Sequence, residues 1–141
     1  MKRSDVVLEA LTWVGTKWRH QGRTKRGIDC AGLILNVGND LGLMDYHCSN
    51  YPRNTTRDHF INHFKLFGIQ RSVIERKRGD MLLLRDGIYA CHCGILDIAP
   101  NGNEYLIHAY QIRGKTVREP LVGDLLSKLT HCFSYKNLED F

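Results

Sequence analysis

Residues 13–35, WVGTKWRHQGRTKRGIDCAGLIL, set a glycine-rich basic loop against the start of an apolar helix, with Asp29-Cys30-Ala31-Gly32 at the junction. Gly15 to Gly27 reads as loop. From Cys30 to about Asp40, Leu33, Ile34 and Val37 recur at helical spacing, and Gly42 is placed to end the helix. A thiol at this junction lies on the positive end of the helix dipole, among N–H groups that have no intrahelical partner. Both favour the thiolate, the reactive form of cysteine. The small Ala31-Gly32 pair lets a ligand backbone approach, and the Cys30 N–H is placed to help hold a developing oxyanion. The bland alternative is a buried structural thiol, since free cysteine is among the most buried residue types.

Working outward, Val6, Val7, Ala10, Leu11 and Val14 predict a first helix over residues 5–14 with Ser4 as its cap. Residues 43–54 read as irregular. Phe60, Ile61, Phe64 and Phe67 predict a third helix from about Thr56 to Phe67, stopped by Gly68. From residue 69 the pattern changes to short β-type runs: Gln70–Ile74, Asp80–Leu84, Tyr89–Ile98, Tyr105–Ile112, Thr116–Arg118 and Thr130–Tyr135. Arg85-Asp86-Gly87 and Pro100-Asn101-Gly102-Asn103 supply turns, and a short helix is expected near Asp124–Lys128. Helices first and an antiparallel sheet second predict an α+β fold, with the cysteine helix packed on a C-terminal sheet.

The 141 residues are expected to form a single domain, 1–141, with 43% apolar and 25% charged residues. No apolar run approaches the roughly 20 residues needed to span a bilayer, so no membrane insertion is expected. Glu9 interrupts the apolar part of the N-terminal stretch, which reads as an amphipathic helix and not as an export signal. Cytoplasmic synthesis is the expectation, and five cysteines without such a signal predict free thiols rather than a disulfide framework. The net charge of +5 suits a polyanionic partner without choosing one. Nucleic acid is disfavoured, because the basic residues are not interleaved with aromatics in a recognisable binding motif.

Two histidines fall in adjacent predicted strands, His92 in CHCGIL and His108 in LIHAY. With period two, His92 and Gly94 face one side while Cys91 and Cys93 face the other. A histidine beside a glycine has the room a general base needs to reach a thiol. His108 would orient that base and stabilise its imidazolium, a task Asn, Asp or Gln also performs. Cys-His-Cys contains metal-ligand types, but adjacent strand residues diverge and no second pair has finger-like spacing. No metal is assigned, and no cofactor is needed. His59 and His63, spaced i, i+4, suit a half-exposed helix face. Cys48, Cys91, Cys93 and Cys132 receive no role.

At these residues the chain resembles the NlpC-type cysteine peptidases, papain-like enzymes of bacterial cell-wall metabolism. The matches are Trp13-Val14-Gly15-Thr16-Lys17-Trp18, Asp29-Cys30-Ala31-Gly32-Leu33-Ile34, Gly79-Asp80-Met81, His92-Cys93-Gly94-Ile95 and Ile107-His108-Ala109, in order across nearly the whole chain. Arg19-His20-Gln21-Gly22, in place of the usual Trp-Gly-Gly, is similar to the shorter form found in phage tails and gene-transfer agents.

The resemblance implies Cys30 as nucleophile, His92 as base and His108 as the orienting residue. Trp18 stands where the family has a site-lining tyrosine, and Ala31 where it has a substrate-binding serine. Asp29 matches an aspartate that helps hold the substrate's free amine. The implied reaction is hydrolysis of a peptide-stem amide in peptidoglycan, commonly between D-γ-glutamate and diaminopimelate or lysine. The implied setting is a phage tail or prophage, with other tail proteins as partners. Lys17, Arg19, Arg23, Lys25 and Arg26 would form a basic rim for stem carboxylates, or a solvated surface loop. Thiol chemistry on another amide or acyl substrate, and a catalytically idle tail-tip protein, are the other readings.

Overall fold

The structure, a computed structural model, describes residues 1–47, 57–86 and 89–139. Cys48, Thr56 and Gly87 lie outside these, as does the side chain of His59. In chain order come α1 (Arg3–Leu11), β1 (Arg23–Thr24), β2 (Gly27–Ile28), α2 (Cys30–Asp40), α3 (Arg57–Phe67), β3 (Gly68–Arg71), β4 (Met81–Asp86) and β5 (Tyr89–Ile98). They are followed by β6 (Glu104–Tyr110), β7 (Lys115–Pro120), α4 (Gly123–Ser127) and β8 (Leu129–Tyr135). Strands β3-β8-β4-β5-β6-β7 form one six-stranded sheet, antiparallel throughout, and β1 and β2 form a separate two-stranded ribbon.

Helices α1, α2 and α3 cover one face of the sheet. Val6, Val7 and Ala10 of α1, Leu33, Ile34 and Val37 of α2 and Phe60 and Phe64 of α3 share a core with Met81, Leu83, Cys93, Ile95, Ile107, Ala109 and Phe133. The opposite face carries Leu82, Leu84, Leu96, Leu106 and Cys132, closed over by Leu121 with Val73 and Leu125. Burial on both faces explains why β4 opens on the unbroken apolar run Met81–Leu84 where a half-exposed strand would alternate. Tyr135 ties the sheet to α2 through a 2.6 Å hydrogen bond from its hydroxyl to the Ile34 carbonyl.

Several expected boundaries shift for local reasons. Ser4 is inside α1 and not its cap. The helix starts after Lys2, whose N–H donates to Asp5 Oδ2 at 2.8 Å, and it stops at Leu11, so Val14 is exposed. The run expected over Gln70–Ile74 is a strand only to Arg71. Val73–Glu75 is instead a 3-10 turn, with the Ser72 hydroxyl accepting from the Ile74 N–H. Likewise the strand expected to reach Ile112 ends at Tyr110, and Gln111–Arg113 turn back toward β7 through Gly114 at φ +73. Among the described residues no helix is long and apolar enough to cross a membrane.

Candidate active site

Cys30 is the first residue of α2, and Asp29 makes it so. The Asp29 side chain caps the helix, Oδ1 accepting from the Gly32 N–H at 2.8 Å, while Oδ2 accepts from the Gln21 N–H at 2.7 Å. Arg23 Nη1 adds an ion pair to Asp29 Oδ1 at 3.2 Å. Gln21 sits at φ +58, a left-handed conformation uncommon outside glycine, and the buried Asp29 carboxylate helps to hold it there. Gly32 is required on steric grounds. A Cβ there would stand 2.5 Å from the Gly22 carbonyl oxygen and 2.7 Å from Arg23 Nη1. The ribbon β1–β2, formed within the predicted loop, is thus clamped against the helix start.

The histidines come from the sheet. The β5–β6 ladder ends at Ile95↔Ile107, and just past it Gly94 lets the strands close in. A Cβ at residue 94 would lie 2.9 Å from His108 Cβ and 2.8 Å from the Ile107 carbonyl oxygen. Here His92 Nε2 meets His108 Nδ1 at 2.7 Å. Tyr110 stacks on His108, with ring centroids 4.7 Å apart, and lies 5.0 Å from His92. His108 is fully buried, and its Nε2 lies 2.9 Å from Glu119 Oε2 on β7. Glu119 Oε1 in turn accepts from Arg113 Nη2 at 3.1 Å.

Strict alternation, which predicts Cys91 and Cys93 on one face, fails at a β-bulge. Leu84 pairs with His92 but Arg85 pairs with Ala90, so Cys91 is an extra residue opposite that step. Cys91 and His92 consequently line the same cavity, while Cys93 points into the core beneath the helices.

Cys30 is held between His92 and Cys93, and its thiol is brought down to about 5. A hydrogen bond from the Cys93 S–H is the largest influence. Burial opposes it, the hydrogen bond and charge of His92 add to it, and the Asp29 charge works the other way. Cys93 has the opposite fate: burial in the core pushes its thiol well up, so Cys93 stays protonated and donates. The His108 imidazole is pushed down to about 4, mainly by burial and then by the neighbouring His92, against the pull of Glu119. His108 is therefore neutral at neutral pH.

The cavity in front of Cys30 is lined by Trp18 from the loop, His92, Tyr110 and Ile112 from the sheet side, and two cations, Arg85 and Lys128. Neither Asp29 nor Ala31 is part of that lining. Two of the loop cations are engaged elsewhere: Arg23 pairs with Asp29, and Lys25 lies 3.7 Å over the Trp13 ring and donates to the Thr12 carbonyl. Sequence reasoning passed over Arg85, Lys128, Glu119 and the Cys93 contact. Of these, Arg85 opens a predicted turn and Cys93 lies inside the His92-Cys93-Gly94-Ile95 match, but neither signal pointed to a role in the site. Among the described residues no group of three or more His, Cys, Asp or Glu side chains is arranged to hold a metal ion.

A helix-start cysteine set against a pair of hydrogen-bonded histidines on an antiparallel sheet is the arrangement of a papain-like α+β fold. The chain belongs to the NlpC/P60 family, whose sequence profile matches residues 15–134. It is 30% identical over 105 residues to the probable endopeptidase NlpC of Escherichia coli K12, covering 73% of this chain and 58% of that protein. Over 108 residues it is 29% identical to the murein DD-endopeptidase MepS/murein LD-carboxypeptidase of the same strain, covering 76% and 49%. The chain thus spans about half the length of the curated relatives it matches. The crystal structure of the NlpC/p60 domain of the peptidoglycan hydrolase SagA superposes with a TM-score of 0.67 at 19% identity, covering 95% of this chain and 99% of that one.

Proposed function

We propose that this chain is a cysteine peptidase that cuts a peptide-stem amide of peptidoglycan, D-γ-glutamyl-diaminopimelate or its lysine equivalent. The observation that carries the reading is Cys30 and His92 lining one cavity, with His92 acting on the Cys30 thiol and hydrogen-bonded to the buried His108, within an NlpC/P60 fold. The Cys30 thiolate attacks the scissile carbonyl carbon. The Cys30 N–H at the helix start stabilises the oxyanion, and His92 protonates the departing amine to leave a thioester. His92 then takes a proton from water, which attacks the thioester and releases the carboxylate product and the thiol. No step requires a metal or cofactor.

Trp18 supplies an aromatic wall to the cavity that Cys30 lines, without the hydrogen-bond acceptor a tyrosine would have. Arg85 and Lys128 face the carboxylates that peptide stems carry. Asp29, whose carboxylate is engaged by Gly32, Gln21 and Arg23 and lies off the cavity lining, acts by fixing the nucleophile and not by holding a substrate amine. Ala31 serves as a small residue at the helix start. A phage or prophage setting, with delivery in a tail and other tail proteins as partners, is supported by the Arg19-His20-Gln21-Gly22 variant of the loop.

Mass spectrometry of purified muropeptides incubated with the protein and with Cys30→Ala tests the reading. Stem fragments released by the wild type alone, with masses that identify the bond, are expected. Intact muropeptides in both samples would overturn hydrolysis by this chain and favour a structural role.

A further inference from the structure

The line of hydrogen bonds does not stop at His108. Glu119 lies on β7, whose register pairs it with Leu106 and places it diagonally from His108 on the same sheet face. Its carboxylate reaches His108 Nε2 at 2.9 Å and is gripped on the other side by Arg113, from the 3-10 turn between β6 and β7. An exposed ion pair of this kind adds little to stability by itself. Its contact with a fully buried histidine is what calls for an explanation.

We propose that Glu119, held by Arg113, is a positioning residue that fixes the tautomers of both histidines and so the direction of the whole Cys30–His92–His108 line. The proposal rests on the thiol-catalysis part of the reading above.

An ionised carboxylate only accepts hydrogen bonds, so the proton on neutral His108 must sit on Nε2. His108 Nδ1 is then a bare acceptor, and the 2.7 Å contact requires His92 to donate from its own Nε2. That leaves His92 Nδ1 as the nitrogen that faces Cys30 and takes the thiol proton. The imidazolium so formed keeps both of its hydrogen bonds, one to the Cys30 thiolate and one to His108. No proton travels to Glu119. The thiol proton moves to His92 Nδ1 and on to the leaving amine, while the Nε2 protons of both histidines stay where they are. Burial alone would raise the Glu119 carboxyl, but its hydrogen bonds with Arg113 and His108 outweigh this and hold it below the usual range. Were Glu119 absent, His108 would be free to carry its proton on Nδ1 and donate to His92. This reversed line disfavours the imidazolium that catalysis needs.

The test compares wild type with Glu119→Gln, a near-isostere that can donate, and with Arg113→Gln, at an exposed position where folding is not at stake. In 15N-histidine NMR spectra, the wild type should show His108 protonated on Nε2. Glu119→Gln should move population to Nδ1 and raise the pH at which Cys30 becomes reactive to iodoacetamide. On muropeptides its kcat should fall by roughly 10- to 100-fold with KM unchanged, the scale typical of outer-shell partners of an imidazole. Arg113→Gln should weaken the rate in the same direction but less, and more at mildly acidic than at neutral pH. Glu104→Gln, which breaks a comparable pair with Arg76 at the far end of β6, should change none of these readouts.

Glu119→Gln with wild-type histidine tautomers and thiol titration overturns the proposal, whatever happens to kcat. If Glu119→Gln does not fold, an Arg113→Gln spectrum and acid-side reactivity identical to wild type overturn it equally. The NMR and alkylation arms need no substrate, so a failure to cut muropeptides sinks the proposed function while leaving this inference to be judged separately.

Discussion

The two halves of the site are built in different ways. The thiol half is held by contacts close in sequence: Asp29 to Gly32, three residues apart, Arg23 to Asp29, six apart, and Gln21 to Asp29, eight apart. The histidine half depends on strand pairing, with His92 and His108 sixteen residues apart and His108 and Glu119 eleven apart. In the thiol half the groups that place Cys30 also cap a helix and bury a carboxylate, so on the proposed function stability and chemistry share residues. In the histidine half the backbone register supplies the stability, and on the proposed function the side chains are left for proton handling. Substitutions in the first half should therefore cost folding free energy as well as rate, and those in the second mainly rate.

The largest effect tests the second half. His92→Ala should lower kcat on the order of 10⁶-fold, as loss of the histidine base of a catalytic triad does. Because His92 is not part of the apolar core, its urea midpoint should stay near that of wild type. A large loss of stability would erase the division between the halves. Gly94→Val comes next and is the deliberate exception. Its side chain would collide with the Ile107 carbonyl and with His108 Cβ, costing about 1–3 kcal/mol through overpacking and forcing β6 away from His92. Denaturation and kinetics should both report it. A variant of full activity would mean that the close approach at Gly94 is not what aligns the histidines.

Asp29→Ala probes the thiol half. Loss of the cap should cost about 1–2 kcal/mol, read from urea unfolding. Rate should fall with it, because Gln21 and Arg23 lose the carboxylate that anchors them. Asp29→Asn is more discriminating, since it keeps a capping oxygen while removing a charge that pushes the Cys30 thiol up. It should keep most of the stability and make Cys30 reactive at slightly lower pH. A thiol harder to ionise in Asp29→Asn would show that the cap geometry outweighs the charge.

The same division governs what was legible beforehand. The start of α2 at Cys30, its end at Asp40, and the span Tyr89–Ile98 of β5 agree with the sequence reading, because helical spacing, a capping residue and a β-rich run are all local signals. The pairing of helices with an antiparallel sheet, and the convergence of Cys30, His92 and His108, follow from the same ordered motifs. Glu119 was not legible. The strand read from the sequence, Thr116–Arg118, stops one residue short of it, and only the β6–β7 register shows that residue 119 lies diagonally from His108. Arg85 and Lys128 were missed for a related reason, since they reach the cavity from segments far from the loop whose basic residues draw attention. The β1–β2 ribbon, two residues per strand, is too short to leave a periodic signal.

Cys93 joins the two halves, and the smallest predicted effect belongs to it. It sits on the histidine strand, yet its S–H acts on the Cys30 thiol, so the separation between the halves must fail here in a defined way. Cys93→Val keeps the core filled and removes the donor. One hydrogen bond to a charged group is worth about 1.5–3 kcal/mol, so the pH at which Cys30 ionises should rise by roughly 1–2 pH units from about 5. Thiolate would then still be abundant at neutral pH, and kcat there should fall only slightly, while alkylation of Cys30 on the acid side should slow clearly. Cys93→Ser restores a donor in nearly the same place and should bring the titration back down. If Cys93→Val titrates as wild type does, the helix start and His92 suffice to hold the thiolate, and Cys93 is only packing. If Val raises the titration and Ser reverses it, a residue on the histidine strand sets the charge of a nucleophile that the opposite half positions.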